Sequence, residues 1–335
     1  YQVQPLPSGR DLIFVLGFDR EGRLWVGHES WLIVFKPLPA ASVALVDSSR
    51  KGNGRPWRQL QRGGGPDGPV STPAFPGDAR QYKTTARAFC QSSAGRFWIG
   101  TEHGLIEFDG HRFRRFTTAH GLNSSSVETR ELVEDRDGNL WIGLVGAGVM
   151  RLVRNGFVTY AAGDGLDQDT VGSIISGPAG EWYVFSSGWR VNRPEELSDG
   201  MRFTSVRLNL PSRITDSMWR SFRRVIRDRS GEWWVGTPEG LYRFPRTERV
   251  EQLARVAPKA HYTARDGLVD DDVTYLFEDS RGDLWIATFA PGREVLTRWD
   301  RARDKFQRYS DRDGLRPFNA VFCFGEDAAG QVWIG

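Results

Sequence analysis

Three consecutive acids, Asp270, Asp271 and Asp272, form the densest cluster of hard oxygen donors in the chain. Such a cluster could hold Ca2+, which takes several oxygen ligands, but its spacing is not that of a helix–loop–helix calcium loop. A solvated acidic loop explains it as well, so the expectation is no metal, with these aspartates as the residues to watch. The histidines His28, His103, His111, His120 and His261 do not pair at metal-ligand spacing. Cys90 and Cys323 are the only thiols; they make no disulfide framework and have no partners at zinc spacing. There is no Ser-His-Asp order and no phosphate-cradling loop that a repeat does not already explain. The chain therefore reads as non-catalytic, with no cofactor implied.

Aromatic residues beside arginine offer a different chemistry, the recognition of sugars or anions. Trp31 and Trp189 stand in loops where other copies of the repeat carry Leu or Val, and Arg190 follows Trp189. Trp219 and Arg220 lie in a departing loop, with Arg223 and Arg224 close behind. Phe318 and Asn319 lie in the loop DGLRPFNAVF, and His103 lies in a loop equivalent to that of His28. Trp31, His103, Trp189, Arg190, Trp219, Arg220, Arg223, Phe318 and Asn319 are the candidate ligand-binding residues. The competing reading of each Trp is packing between sheets.

The elements that position these residues come from an internal repeat. GRLWVG, GRFWIG, GNLWIG, GEWYVF, GEWWVG, GDLWIA and GQVWIG share one pattern, with key aromatics Trp25, Trp98, Trp141, Tyr183, Trp234, Trp285 and Trp333. Each key aromatic has Gly three residues before it and Val or Ile one residue after. Six residues before it stand Asp19, Asp135, Asp228, Asp279 and Asp327, with Ser92 and Gly177 in the other two copies. A phrase ending in Gly-Leu follows four of the cores, as in GLIEFDGHRFRRFTTAHGL and RYSDRDGL.

Asp-Gly and Asn-Gly are hairpin signals because Gly accepts positive φ. Residues 127–160 therefore read as four antiparallel strands, and a unit of about 45 residues is the size of one propeller blade. The large flat Trp suits the space between twisted sheets. The Asp would bond turn amides at the end of the inner strand.

The expected fold is all-β: a single seven-bladed propeller of four-stranded antiparallel blades over 1–335, with the last blade incomplete. YQVQPL (1–6) could supply the missing outer strand of that blade. Residues 37–80, rich in Gly, Pro and polar residues, are expected to form a surface insertion in the first blade.

The phrase of acid, Gly, Leu-Trp-Ile-Gly and Gly-Leu, followed by an aromatic and Asp-Gly-Leu, resembles the two-component regulator propeller repeat. EDRDGNLWIG and GTEHGLIEF carry it most fully. The resemblance implies the sensor region of a bacterial hybrid histidine kinase or diguanylate cyclase, in the periplasm or otherwise outside the cytoplasm. It implies a small-molecule or glycan ligand. As partners it implies a neighbouring propeller and output domains of the same parent chain, and a homodimer is also considered. It supplies no binding motif to carry over residue by residue.

Composition bounds these readings. The formal charge is +3, from 45 basic and 42 acidic residues among 335, and the arginines are spread out. Nucleic acid is therefore not an expected partner. No run of 18 apolar residues is present, so no membrane segment is expected. The chain begins at Tyr1 and ends within a repeat, which reads as an excerpt of a longer product. A protein-binding scaffold and a propeller lyase or hydrolase stand as the alternatives to the sensor.

Overall fold

A computed structural model describes residues 13–28, 31–35, 80–123, 129–153, 156–176, 181–186, 188–198, 200–211, 214, 223–290, 296–313 and 321–335. The chain is a β-propeller. Six antiparallel sheets of four strands follow one another in chain order, and each sheet is ordered by sequence from inner to outer strand. In blade three the strands are β9 (Thr129–Glu134), β10 (Leu140–Leu144), β11 (Val149–Val153) and β12 (Gly156–Tyr160). Every residue of β10 is buried, as are those of its counterparts in the five other complete blades. A second strand covered on both faces needs a near-continuous apolar run, which is what the Leu-Trp-Ile phrase supplies.

The key aromatics fill the seams between blades. Trp25 of blade one stacks on Phe97 of blade two at 4.4 Å between ring centroids, and Trp141 of blade three meets Trp182 of blade four at 3.9 Å. The repeat Asp does two things at once. Asp135 Oδ1 accepts from the amides of Asp137 and Asn139, tying down the hairpin turn. Asp135 Oδ2 accepts from Trp141 Nε1 at 2.6 Å. The same indole–carboxylate bond joins Trp25 to Asp19, Trp234 to Asp228, Trp285 to Asp279 and Trp333 to Asp327. The turn bonds are as the sequence predicts; the indole bonds were not foreseen, although the constant spacing of six residues encodes them.

The Gly two residues after the key Trp has a packing reason. A Cβ on Gly27 would come within 2.7 Å of the Ala86 carbonyl in the next inner strand, and one on Gly100 within 2.4 Å of Thr129. Gly143 meets Val171 and Gly236 meets Val273 in the same way. Backbone approach this close at the narrow centre of the ring leaves no space for a side chain.

Among the described residues the structure has six four-stranded blades, where seven, the last incomplete, are expected from the sequence. The seventh key aromatic, Trp333, lies in a two-stranded sheet of β25 (Phe324–Glu326) and β26 (Val332–Ile334). That sheet bridges blades six and one. Phe324 stacks on Phe277 of blade six, Phe18 of blade one meets Trp333 at 6.0 Å, and a Cβ on Gly335 would lie 2.6 Å from Ile13. The outer-strand segment 1–6 and the insertion 37–79 lie outside the described residues; the outer strand of blade one resumes at β4 (Arg80–Tyr82), paired to β3 (Leu32–Phe35).

Among the described residues three seams carry a further clamp. A glutamate at the end of one inner strand accepts hydrogen bonds from the hairpin turn of the preceding blade. Glu134 accepts from Ser93 N and Oγ at 2.5 and 2.9 Å. Glu278 accepts from Arg229 N and Nε, and Glu326 from Ser280 N and Oγ. All three glutamates stand seven residues before the key aromatic; Phe18, Gln91, Ser176 and Arg227 fill that place elsewhere.

Candidate functional site

The propeller has two ends. At one lie the hairpins between first and second strands; at the other lie the loops that enter each inner strand and the turns between second and third strands. The described candidate residues gather at the second end.

The entry loops are built by their own phrase. The Asp of Asp-Gly-Leu bonds back three residues: Asp164 to the amide of Ala161, Asp266 to Thr263 and Asp313 to Ser310. His120 Nδ1 plays this part in blade two, accepting from Thr117 N. The following Gly takes positive φ (91° at Gly121 and 92° at Gly165), and Leu122, Leu166 and Leu268 enter the core. A Cβ on Gly165 would meet the Phe203 carbonyl at 2.2 Å. The phrase is thus a corner brace, and the residues beyond it shape the mouth of the channel.

One position per inner strand, ten residues before the key aromatic, forms a ring: Val15, Ala88, Glu131, Ser173, Arg224, Tyr275 and Cys323. Each pairs across to the residue two after that aromatic, as Glu131 does with Gly143 and Tyr275 with Ala287. The repeat is apolar or small in four of these places and chemically active in the rest.

Burial pushes the Glu131 carboxyl up to about 7, and the nearby Arg223 guanidinium offsets part of that rise. Arg223 also hydrogen-bonds to Tyr275, whose phenol is raised chiefly by burial and kept neutral. Arg224 is buried and reaches Asp272 at 3.4 Å. Burial raises Cys90 to about 11 and raises Cys323 further, so neither thiol is a nucleophile at neutral pH.

Trp189 is 4% exposed and packs in a core cluster with Tyr183, Phe185 and Val191. Its φ of 59° puts a bulky residue in the left-handed region, a strain of about 1–3 kcal/mol that burial must offset. Its indole Nε1 is buried without a hydrogen-bond partner, and the Arg224 guanidinium lies 5.9 Å from its ring. Trp189 therefore stands behind Arg224 instead of at the surface. Arg190 pairs with Asp167 at 3.2 Å on the same end.

Trp189, Arg190, Arg223 and Asp272 thus share one region with Glu131, Arg224 and Tyr275. Trp31 packs, partly buried, beside Leu16 and Trp333. His103 is exposed at its turn, whereas His28 is buried at the end of β2 (Leu24–His28). Trp219, Arg220, Phe318 and Asn319 lie outside the described residues.

The three aspartates diverge: Asp270 accepts from Asp272 N, Asp271 from Ala264 N, and Asp272 faces Arg224. Among the described residues no group of three or more His, Cys, Asp or Glu is placed to hold a metal ion. Glu131, Arg224 and Tyr275 were not singled out as binding candidates from sequence. The signal for them is the irregularity of one column of the repeat.

Residues 267–290 match the family model described as two-component regulator propeller. That segment carries the propeller repeat. The match opens at the Gly of one Asp-Gly-Leu brace and runs through the first hairpin of blade six.

Solved structures of similar fold include the extracellular domain of a hybrid two-component system from B. thetaiotaomicron. It has TM-score 0.65 and 18% identity, over 98% of this chain and 38% of that one. Virginiamycin B lyase from Staphylococcus aureus, an inactive variant with quinupristin, has TM-score 0.62 and 10% identity, over 100% of this chain and 94% of that one. PorZ of Porphyromonas gingivalis, a surface component of the type-IX secretion system, has TM-score 0.59 and 16% identity, over 98% of this chain and 47% of that one. At such identities the likeness establishes the fold. The chain spans 38% of the length of the first of these proteins. No curated protein matches the chain. Among the described residues no helix is long and apolar enough to cross a membrane.

Proposed function

We propose that this chain is a non-catalytic, ligand-sensing propeller, one domain of the extracytoplasmic region of a bacterial two-component signalling protein, and that its channel mouth binds a small molecule or glycan. The observation that carries this reading is the convergence of Glu131, Arg223, Arg224 and Tyr275, from three different blades, on one end of the ring. Titratable groups with shifted protonation at a concave mouth are a signature of binding sites. The propeller repeat supports the signalling context. In this reading the whole chain is one propeller unit, 37–80 is an insertion in its first blade, and neighbouring domains or a second copy receive the signal.

The test is a thermal-shift screen of mono- and oligosaccharides and small organic acids. A true ligand raises the melting temperature, and the rise keeps growing with the logarithm of its concentration above Kd. Arg223→Ala is expected to weaken that ligand at least about tenfold by removing a charge-assisted hydrogen bond. A screen without any stabilising compound, or hits indifferent to Arg223→Ala, would sink the reading.

One observation favours a second reading, a lyase or hydrolase: the Glu131 carboxyl is poised near neutral pH beside a cation and a phenol, as a general base would be. Glu131→Gln separates the two. The sensor shows no turnover in either form; the enzyme turns substrate over and loses that turnover in the variant.

A further inference from the structure

At the opposite end of the ring, among the hairpins of blades three to five, lies a groove of about 800 Å3. Blade three contributes Arg151 from β11, blade five contributes Arg227 at the end of β17 (Val225–Arg227), and blade four lines it with Trp182 and Met201. Both arginines are partly buried, and the Nε of each is fully buried without a hydrogen-bond partner. Arg151 lies over the Trp141 ring at 5.4 Å, and neither guanidinium has a carboxylate within ion-pair distance among the described residues.

The carboxylates of the groove are occupied or peripheral. Asp135 holds its turn and Trp141, and Glu181 accepts from the Tyr183 hydroxyl at 3.0 Å. Glu196 and Glu248 are exposed at the rim. Guanidinium groups drawn from water without counter-charges are costly unless a ligand supplies the charge. The volume is that of a small-molecule site.

We propose that this groove binds a small organic anion, with its acidic group between Arg151 and Arg227 and its body against Trp182 and Met201. The planar fork of each guanidinium suits a carboxylate, phosphate or sulfate. The site is separate from the channel mouth, at the other end of the strands, and stands whether or not that mouth binds a ligand.

The test is isothermal titration of the whole chain at low ionic strength with glucuronate, glucose 6-phosphate and, as the neutral control, glucose. At least one anion is expected to bind about tenfold or more tightly than glucose, and the two anions tell carboxylate from phosphate preference. Arg151→Gln and Arg227→Gln are each expected to weaken that anion at least about tenfold. Lys305→Ala, exposed on the outer strand of blade six, should leave binding unchanged. Melting curves check that each variant folds; if Arg151→Gln does not, Arg151→Lys keeps the charge, loses the fork, and is expected to bind more weakly. Anions that bind no better than glucose, or folded arginine variants that bind as the parent does, would overturn the proposal.

Discussion

The seam between blades five and six and the seam between blades four and five use the same repeat differently. At the first, Asp228 is 2% exposed, holds Trp234 and its turn, and also takes Arg301 from blade six at 2.9 Å. Glu278 then clamps the Arg229 amide. At the second, every one of these parts is changed. In sequence the clamp position carries Arg227, the position of the donor, five before the key aromatic, carries Pro178, which has no N–H, the repeat Asp is Gly177, and the key Trp is Tyr183. The groove lies where the clamps are missing. A repeat protein binds its own neighbours with every regular copy, so a copy that departs from the pattern has polar groups left for other uses.

The largest expected effect comes from breaking the clamped seam. Asp228→Ala removes the acceptor of a buried indole and of two turn amides and takes one of the two anions of Arg301, leaving it Glu278; chemical denaturation should show a loss of about 3–5 kcal/mol. A loss below about 1 kcal/mol would mean that the indole bond is incidental.

Glu131 is expected to come next. Its carboxyl is raised to about 7 in the fold from an ordinary 4.5, so the protonated form is favoured on folding. The associated stability is full below the ordinary value and is lost as pH rises through about 7. Glu131→Gln should therefore be more stable than the parent at pH 8, by up to about 3 kcal/mol, and the gap should close by pH 4. Parallel stability–pH curves for the two proteins would contradict the burial of this group.

A smaller effect is expected from rebuilding the slack seam. Pro178→Ser with Arg227→Glu restores donor and acceptor together and should add about 1–2 kcal/mol, the worth of a charge-assisted bond, whereas Arg227→Glu alone should add nothing. The smallest effect is dynamic. Amide exchange in β14 (Trp182–Ser186) should be faster than in β22 (Leu284–Thr288), although both strands are fully buried, because among the described residues no glutamate clamp ties blade four to blade five. Equal exchange would remove the basis of the comparison.

Much of the fold was legible in the sequence because each blade repeats the same solution. The Gly before the key aromatic stands in all seven copies, the key Trp in six and the Asp at the strand end in five, and together they announce strand, turn and seam. The glutamate clamp was harder to see, since three of seven copies carry it and its partner lies in the preceding blade. The channel residues were harder still. Glu131 and Tyr275 sit in ordinary strand positions, and only the ring closure brings them to one mouth. Trp189 is the opposite case: a distinctive residue in a loop, buried behind Arg224 and not offered to solvent. Reading columns of the repeat, copy against copy, would have raised Glu131, Arg224 and Arg227 before any coordinates.

The most direct measurement is hydrogen-exchange mass spectrometry of the chain with and without the ligand that the thermal-shift screen selects. Protection is expected in the segments around Glu131, Trp189–Arg190, Arg223–Arg224 and Asp272–Tyr275, at the channel mouth. Protection confined to other faces of the ring, or none at all, would contradict the assignment of the mouth as the sensing site.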